Sequence, residues 1–242
     1  MARVDSIVTV APLFVVSPHL DDAVFGCGAW LAAEPGAEVC TVCCAIPPVA
    51  ISTPWDSTAG FRDSTLAMRA RLREDDRALA VLQASALRLP FFDHQYGQRA
   101  SPREIADAIA DALQQLGSRR FVMPLGLVHP DHVLVSDACL LAMQTLGIAE
   151  WSMYEEAPYR AIPGAVDARF VELIARHPQL QFTRIEAPDG SITAQQTERW
   201  AELKRDAIRA YASQLPALAH LPMADLDARE RIWSVTRRPE RS

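Results

Sequence analysis

The stretch Leu13-Phe14-Val15-Val16-Ser17-Pro18-His19-Leu20-Asp21-Asp22 governs how the rest of the chain is read. Its first half is a short apolar run bounded by proline, the pattern of a strand buried on both faces. Its second half sets an imidazole and two carboxylates at the carboxyl end of that strand, just before an expected helix containing Gly26 and Gly28. Ligands bind at the carboxyl ends of strands in open α/β sheets, so these polar side chains stand where a site belongs. Adjacent residues project in different directions. One aspartate can therefore hold a metal while the other faces substrate, a division that suits hydrolysis.

Outward from this stretch, strand-like runs alternate with segments of helical period. Strands are expected at 39–46, 87–93, 120–125, 151–155 and 181–186, and helices at 64–83, 102–116, 130–146 and 166–176. A last helix carries the stripe Trp200, Leu203, Ala207 and Tyr211 and ends near Gln214. The proline-broken stretch 47–63 reads as a long loop and 188–190 as a turn. This alternation is that of an α/β protein, a Rossmann-like, mostly parallel sheet with helices on both faces, in a single domain over residues 1–242.

A second polar cluster, His129-Pro130-Asp131-His132, also follows an expected strand and opens a helix, with Pro130 suited to its first turn. The two clusters supply His, Asp and His from two strand ends. That donor set matches a three-ligand catalytic zinc site with a position left for water or substrate. His94, His177 and His220 show no partner pattern and are not expected to be ligands.

Composition narrows the alternatives. A net charge of −6 with half the residues hydrophobic argues against a nucleic-acid partner, which needs clustered Lys and Arg. Arg237, Arg238 and Arg241 read as a solvated, frayed tail. The apolar run 7–16 is about half the roughly 20 residues of a membrane span, and without a secretory leader pattern the expected address is the cytoplasm, with no membrane partner. Five cysteines are an odd set for a disulfide framework, and the Cys40-x-x-Cys43 pair reads as buried strand thiols.

Pro18-His19-Leu20-Asp21-Asp22, followed about 110 residues later by His129-Pro130-Asp131-His132, resembles the LmbE-like, or PIG-L, family of zinc-dependent N-deacetylases, with their (P/A)-H-P-D-D-E motif and later H-x-x-H. The likeness continues in Arg71-x-x-Glu74, in Asp93, and in Lys204, Tyr211, Ser213 and Gln214. It implies the three-layer LmbE-like fold, one zinc per chain held by His19, Asp22 and His132, Asp21 as general base and His129, protonated, at the oxyanion. Arg71 and Asp93 are the candidates for holding sugar hydroxyls. The implied reaction removes an N-acyl group from an amino sugar or related small metabolite, by attack of water activated at the metal. A hydratase of unsaturated dicarboxylic acids and a catalytically inactive ligand-binding relative are the alternatives, and a homo-oligomer stays open. Leu20 stands where the family usually has Pro, and Ala23 where it usually has Glu, which removes a carboxylate that could orient a ligand.

Overall fold

The structure, a computed structural model, describes residues 11–97, 100–117, 119–188 and 192–238. Parts of three expectations fall outside them: the first residues of the run 7–16, the turn at Asp189 and Gly190, and Arg241. The strands are β1 (Leu13–Ser17), β2 (Glu38–Cys43), β3 (Ser85–Phe91), β4 (Arg120–Pro124), β5 (Glu150–Tyr154), β6 (Leu180–Ile185) and β7 (Ile232–Arg237). They form one sheet in the order β3-β2-β1-β4-β5-β7-β6. The first five are parallel, and β7 runs antiparallel between β5 and β6.

The helices are α1 (Asp22–Ala33), α2 (Pro54–Thr58), α3 (Ser64–Val81), α4 (Pro102–Leu116), α5 (Pro130–Thr145), α6 (Ala165–Arg176), α7 (Ala194–Arg209) and α8 (Gln214–Ala217). Alternation along β1 makes the three layers. Phe14 and Val16 pack with Ile105 and Ile109 of α4 and Val135 and Ala138 of α5. Leu13 and Val15 face the other way, onto Leu31 of α1, Leu79 of α3 and Ala207 of α7. The chain thus leaves β1 for a helix on one face and leaves the neighbouring β4 for a helix on the other. That divergence is a topological switch point, and it opens a crevice between the two loops.

Two expectations are corrected. Arg237 ends strand β7 instead of belonging to a frayed tail, because Ile232, Trp233 and Val235 find buried places between β5 and β6. The stretch 47–63 contains α2, capped by Thr53, whose side chain accepts from the Asp56 amide. Five residues are too few to show a helical period. The five cysteines are free and buried, as expected. Among the described residues no helix is long and apolar enough to cross a membrane.

Helix α1 breaks its helical geometry at Cys27, between Gly26 and Gly28. Both glycines are there because other side chains press on the backbone: a Cβ on Gly26 would lie 2.7 Å from Tyr154 Cε2, and one on Gly28 3.0 Å from Lys204 Cγ. Tyr154 is fully buried and its hydroxyl donates to the Val16 carbonyl at 3.0 Å, so its ring cannot retreat cheaply. Gly26→Ala should therefore destabilise the fold by about 1–3 kcal/mol, the usual cost of overpacking. In a chain of this size that lowers the melting temperature by roughly 2–4 °C per kcal/mol. An unchanged melting curve would show that Tyr154 gives way freely.

Candidate metal centre

The first cluster is built by the turn out of β1. Asp21 is the N-cap residue of α1, yet its side chain makes no capping hydrogen bond, which leaves the carboxylate to face the cleft. Asp22, in the first turn, is 4 % exposed, and its Oδ2 accepts from the His19 amide at 2.8 Å. The same oxygen lies 3.1 Å from His19 Nδ1 and 3.1 Å from Nε2 of His132. Donor atoms around a tetrahedral zinc are separated by about 3.3 Å, given metal–ligand bonds of about 2.0–2.1 Å. Asp22 thus stands at nearly such a separation from both imidazoles, His19 beside it at the end of β1 and His132 from the first turn of α5 beyond β4.

His132 adds a test of fit. It is fully buried, and among the described residues neither ring nitrogen has an aligned hydrogen-bond partner, although Asp22 and Glu156 sit at 3.1 and 3.3 Å. A buried imidazole left this way is costly unless something else binds it. A borderline divalent ion on Nε2, with Glu156 opposite Nδ1, answers both nitrogens.

The second cluster is positioned by a strained turn. Val128, a β-branched residue with φ +57°, precedes His129, whose amide donates to the Leu127 carbonyl at 2.6 Å. Buried Glu156 holds this turn, its Oε1 accepting from the Gly126 amide at 2.8 Å and the Leu127 amide at 2.9 Å. One carboxylate therefore fixes the loop and faces His132 as well. Asp131 does the matching work for His19: its Oδ2 lies 3.1 Å from His19 Nε2 and accepts from the His94 amide at 2.9 Å. The sequence reading gave Asp131 no role and placed Glu156 only in the stretch 154–159, expected to form one wall of the pocket. For Asp131 the signal was its place between the two histidines of the motif; for Glu156 there was none beyond its lying after β5.

Electrostatics follow from this packing. Burial works against charge on His19 and His132, but Asp131 and Asp22 outweigh it for the first and raise its pKa, and Asp22 and Glu156 raise the second to about 9. Burial also opposes charge on Asp22, and His132 and His19 overcome it, holding its carboxyl well below the usual range. Asp21 is pushed up to about 7 by burial and by Asp22, against the pull of His19 and Arg71. His129 is pushed down to about 4 by burial and by the neighbouring His19 and His132. Its Nδ1 accepts from the Asp131 amide at 3.2 Å, so a neutral ring carries its proton on Nε2.

The cleft beside these groups has two kinds of wall. Arg71 lies 3.5 Å from the carboxylates of both Asp56 and Asp93, and Gln95 donates to Asp93 at 2.9 Å. Arg71 does not pair with Asp75, which instead takes Arg88 at 2.9 Å and the Tyr211 hydroxyl at 3.0 Å. The cleft is also lined by the largely apolar side chains of Phe25, Trp55, Pro158, Tyr159 and Leu218. His94 also lines the cleft, which its isolated place in the sequence did not suggest.

Known proteins bear on this arrangement. A family model described as PIG-L: GlcNAc-PI de-N-acetylase matches residues 14–143, more than half of the chain. No curated protein matches the sequence. Among solved structures, the zinc-inhibited form of teicoplanin deacetylase Orf2 is 25 % identical with a TM-score of 0.73, over 96 % of this chain and 100 % of that one. The A40926 pseudoaglycone deacetylase Dbv21 is 24 % identical, TM-score 0.70, over 96 % and 99 %. GalB, the 4-carboxy-2-hydroxymuconate hydratase from Pseudomonas putida KT2440, is 18 % identical, TM-score 0.53, over 96 % and 98 %. The last two likenesses concern the fold alone. With both motifs meeting at the switch point of the sheet and the family model matching most of β1 through α5, the chain belongs to the PIG-L, or LmbE-like, family.

Proposed function

We propose that the protein is a zinc-dependent N-deacetylase acting on an amino sugar or a related N-acylated metabolite, as one domain. The observation that carries this is that one Asp22 oxygen stands 3.1 Å from both His19 and His132, beside an Asp21 carboxylate that caps nothing and faces the cleft. A zinc ion held by those three residues would polarise the amide carbonyl and acidify the attacking water. Asp21, with a pKa near neutrality, accepts the water proton as the oxygen attacks the carbonyl carbon, and returns it to the leaving nitrogen when the C–N bond breaks. Neutral His129 donates its Nε2–H to the carbonyl oxygen as that oxygen gains charge. The products are a carboxylate and a free amine.

The walls suit a sugar. Arg71, Asp93 and Gln95 offer donors and acceptors to hydroxyl groups, and Trp55 with Leu218 offers the apolar surface on which a sugar ring packs. Orf2 is named as a teicoplanin deacetylase, in keeping with this reaction. The hydratase reading is weaker, because a dicarboxylate needs cations and Arg71 already faces two carboxylates. The test is amine release from N-acetylglucosamine derivatives by zinc-loaded protein. Zinc-bound protein that releases no amine from any N-acylated amino sugar would overturn the proposal.

Metal uptake should depend on pH. In the metal-free protein His19 and His132 have raised pKa values, so binding must displace protons from them. Apparent zinc affinity should rise with pH across the range in which these two imidazoles lose their protons. Chelator competition at several pH values measures this; a flat profile would mean that these imidazoles do not bind the ion.

A further inference from the structure

His19 has two ring nitrogens, and the three-residue centre uses only one. Its Nδ1 faces Asp22, while Nε2 faces away from that centre toward Asp131 at 3.1 Å. On this second side stands Cys43, the last residue of β2, whose amide donates to the Pro18 carbonyl at 2.9 Å and so ties it to the turn that carries His19. One ligand atom each from His19, Cys43 and Asp131 lie within 4.8 Å of one another. A zinc ion with bonds of about 2.0 Å to N and O and about 2.3 Å to S needs separations of roughly 3.3–3.6 Å. Asp131 and His19, 3.1 Å apart, are close to that spacing, and the Cys43 sulfur is within 4.8 Å of the ligand atoms of both. Cys43 and His19 also line a small cavity that shares Asp21, Arg71, Asp93 and Gln214 with the cleft.

We propose that His19 Nε2, Cys43 Sγ and Asp131 form a second metal site, selective for thiophilic divalent ions, whose filling by excess zinc inhibits the enzyme. The donor set of imidazole, thiolate and carboxylate prefers zinc, cobalt or cadmium to magnesium or calcium. Binding releases the thiol proton and the Nε2 proton to solvent. It also takes Asp131 away from its two present duties, orienting His19 and accepting from the His94 amide. Loss of a histidine's orienting carboxylate weakens the other nitrogen's hold on its own ion. The inhibitory consequence rests on the deacetylase proposal; the site itself does not.

The experiment is a cobalt(II) titration of the metal-free protein followed by absorption, on wild type and Cys43→Ala. The first equivalent should give visible d–d bands without sulfur character, and later equivalents a thiolate-to-cobalt charge-transfer band in the near ultraviolet. That band should vanish in Cys43→Ala, while the visible bands of the first equivalent persist and report a folded protein; Cys43→Val serves if the alanine variant fails to fold. In parallel, amide hydrolysis by wild type should fall severalfold as zinc exceeds one equivalent, and by Cys43→Ala should not. No near-ultraviolet band at several equivalents, or one that survives in the variant, overturns the second site. Loss of the visible bands in His132→Ala tests the first site independently.

Discussion

Asp21→Asn should keep its metal and lose turnover by about 10²–10⁴-fold, the range that a positioned general base supplies. The argument is geometric before it is electrostatic. Asp21 is the residue at which α1 begins, a position where an aspartate ordinarily accepts a backbone hydrogen bond, yet its side chain makes none. The carboxylate lines the cleft instead, next to Asp22 and near Arg71. Asparagine preserves the shape and the neighbours but cannot take a proton from water. Because the cap bond is absent already, the substitution should leave the melting temperature near that of wild type. The zinc content should also hold, since Asp22, His19 and His132 are untouched. Turnover within a few-fold of wild type would remove Asp21 from its assigned place and leave Asp131 or His129 to be tried as the base.

The sequence made the centre of this site legible and its supports much less so. The strand Leu13–Ser17 and the polar residues after it could be read because a buried parallel strand has an unmistakable apolar run, and because chemistry collects at its carboxyl end. Arg71 and Asp93 could be carried over by family resemblance, and both line the cleft. Glu156 could not: its part depends on β5 lying next to β4, a pairing that no local pattern encodes. The same holds for β7, whose place between β5 and β6 comes from the tertiary fold. The two departures from the family motif also read differently in three dimensions. Leu20 is buried against Cys44, Met68 and Tyr96, and its carbonyl accepts from the Tyr211 hydroxyl at 2.9 Å, so the turn is held without a proline. Ala23 is buried and its amide donates to Ser17 Oγ at 3.0 Å. The carboxylate missing there leaves neither histidine without one, since Asp131 faces His19 and Glu156 faces His132.

His132→Ala should abolish amide hydrolysis and metal binding at the centre formed with His19 and Asp22, and Glu156→Gln measures how much of that loss belongs to orientation. His132 lies between two carboxylates, Asp22 at 3.1 Å and Glu156 at 3.3 Å, and its ring packs on Tyr159 with centroids 4.9 Å apart. Alanine removes a ligand and leaves Asp22 and Glu156 facing a cavity, two buried charges with nothing between them. Glutamine at 156 keeps the volume and can still serve Nδ1, but it weakens the anchoring of the Gly126 and Leu127 amides, hence of the strained turn before His129. Loss of an orienting partner costs roughly 10–100-fold in metal affinity or activity, and loss of the ligand itself should cost more than that. The informative quantity is the order of the two variants in zinc affinity, measured by chelator competition at one pH, with thermal melts of the metal-free proteins as the control for folding. If His132→Ala holds zinc as tightly as Glu156→Gln, the ion sits elsewhere, and the cluster of His19, Cys43 and Asp131 becomes the first place to look.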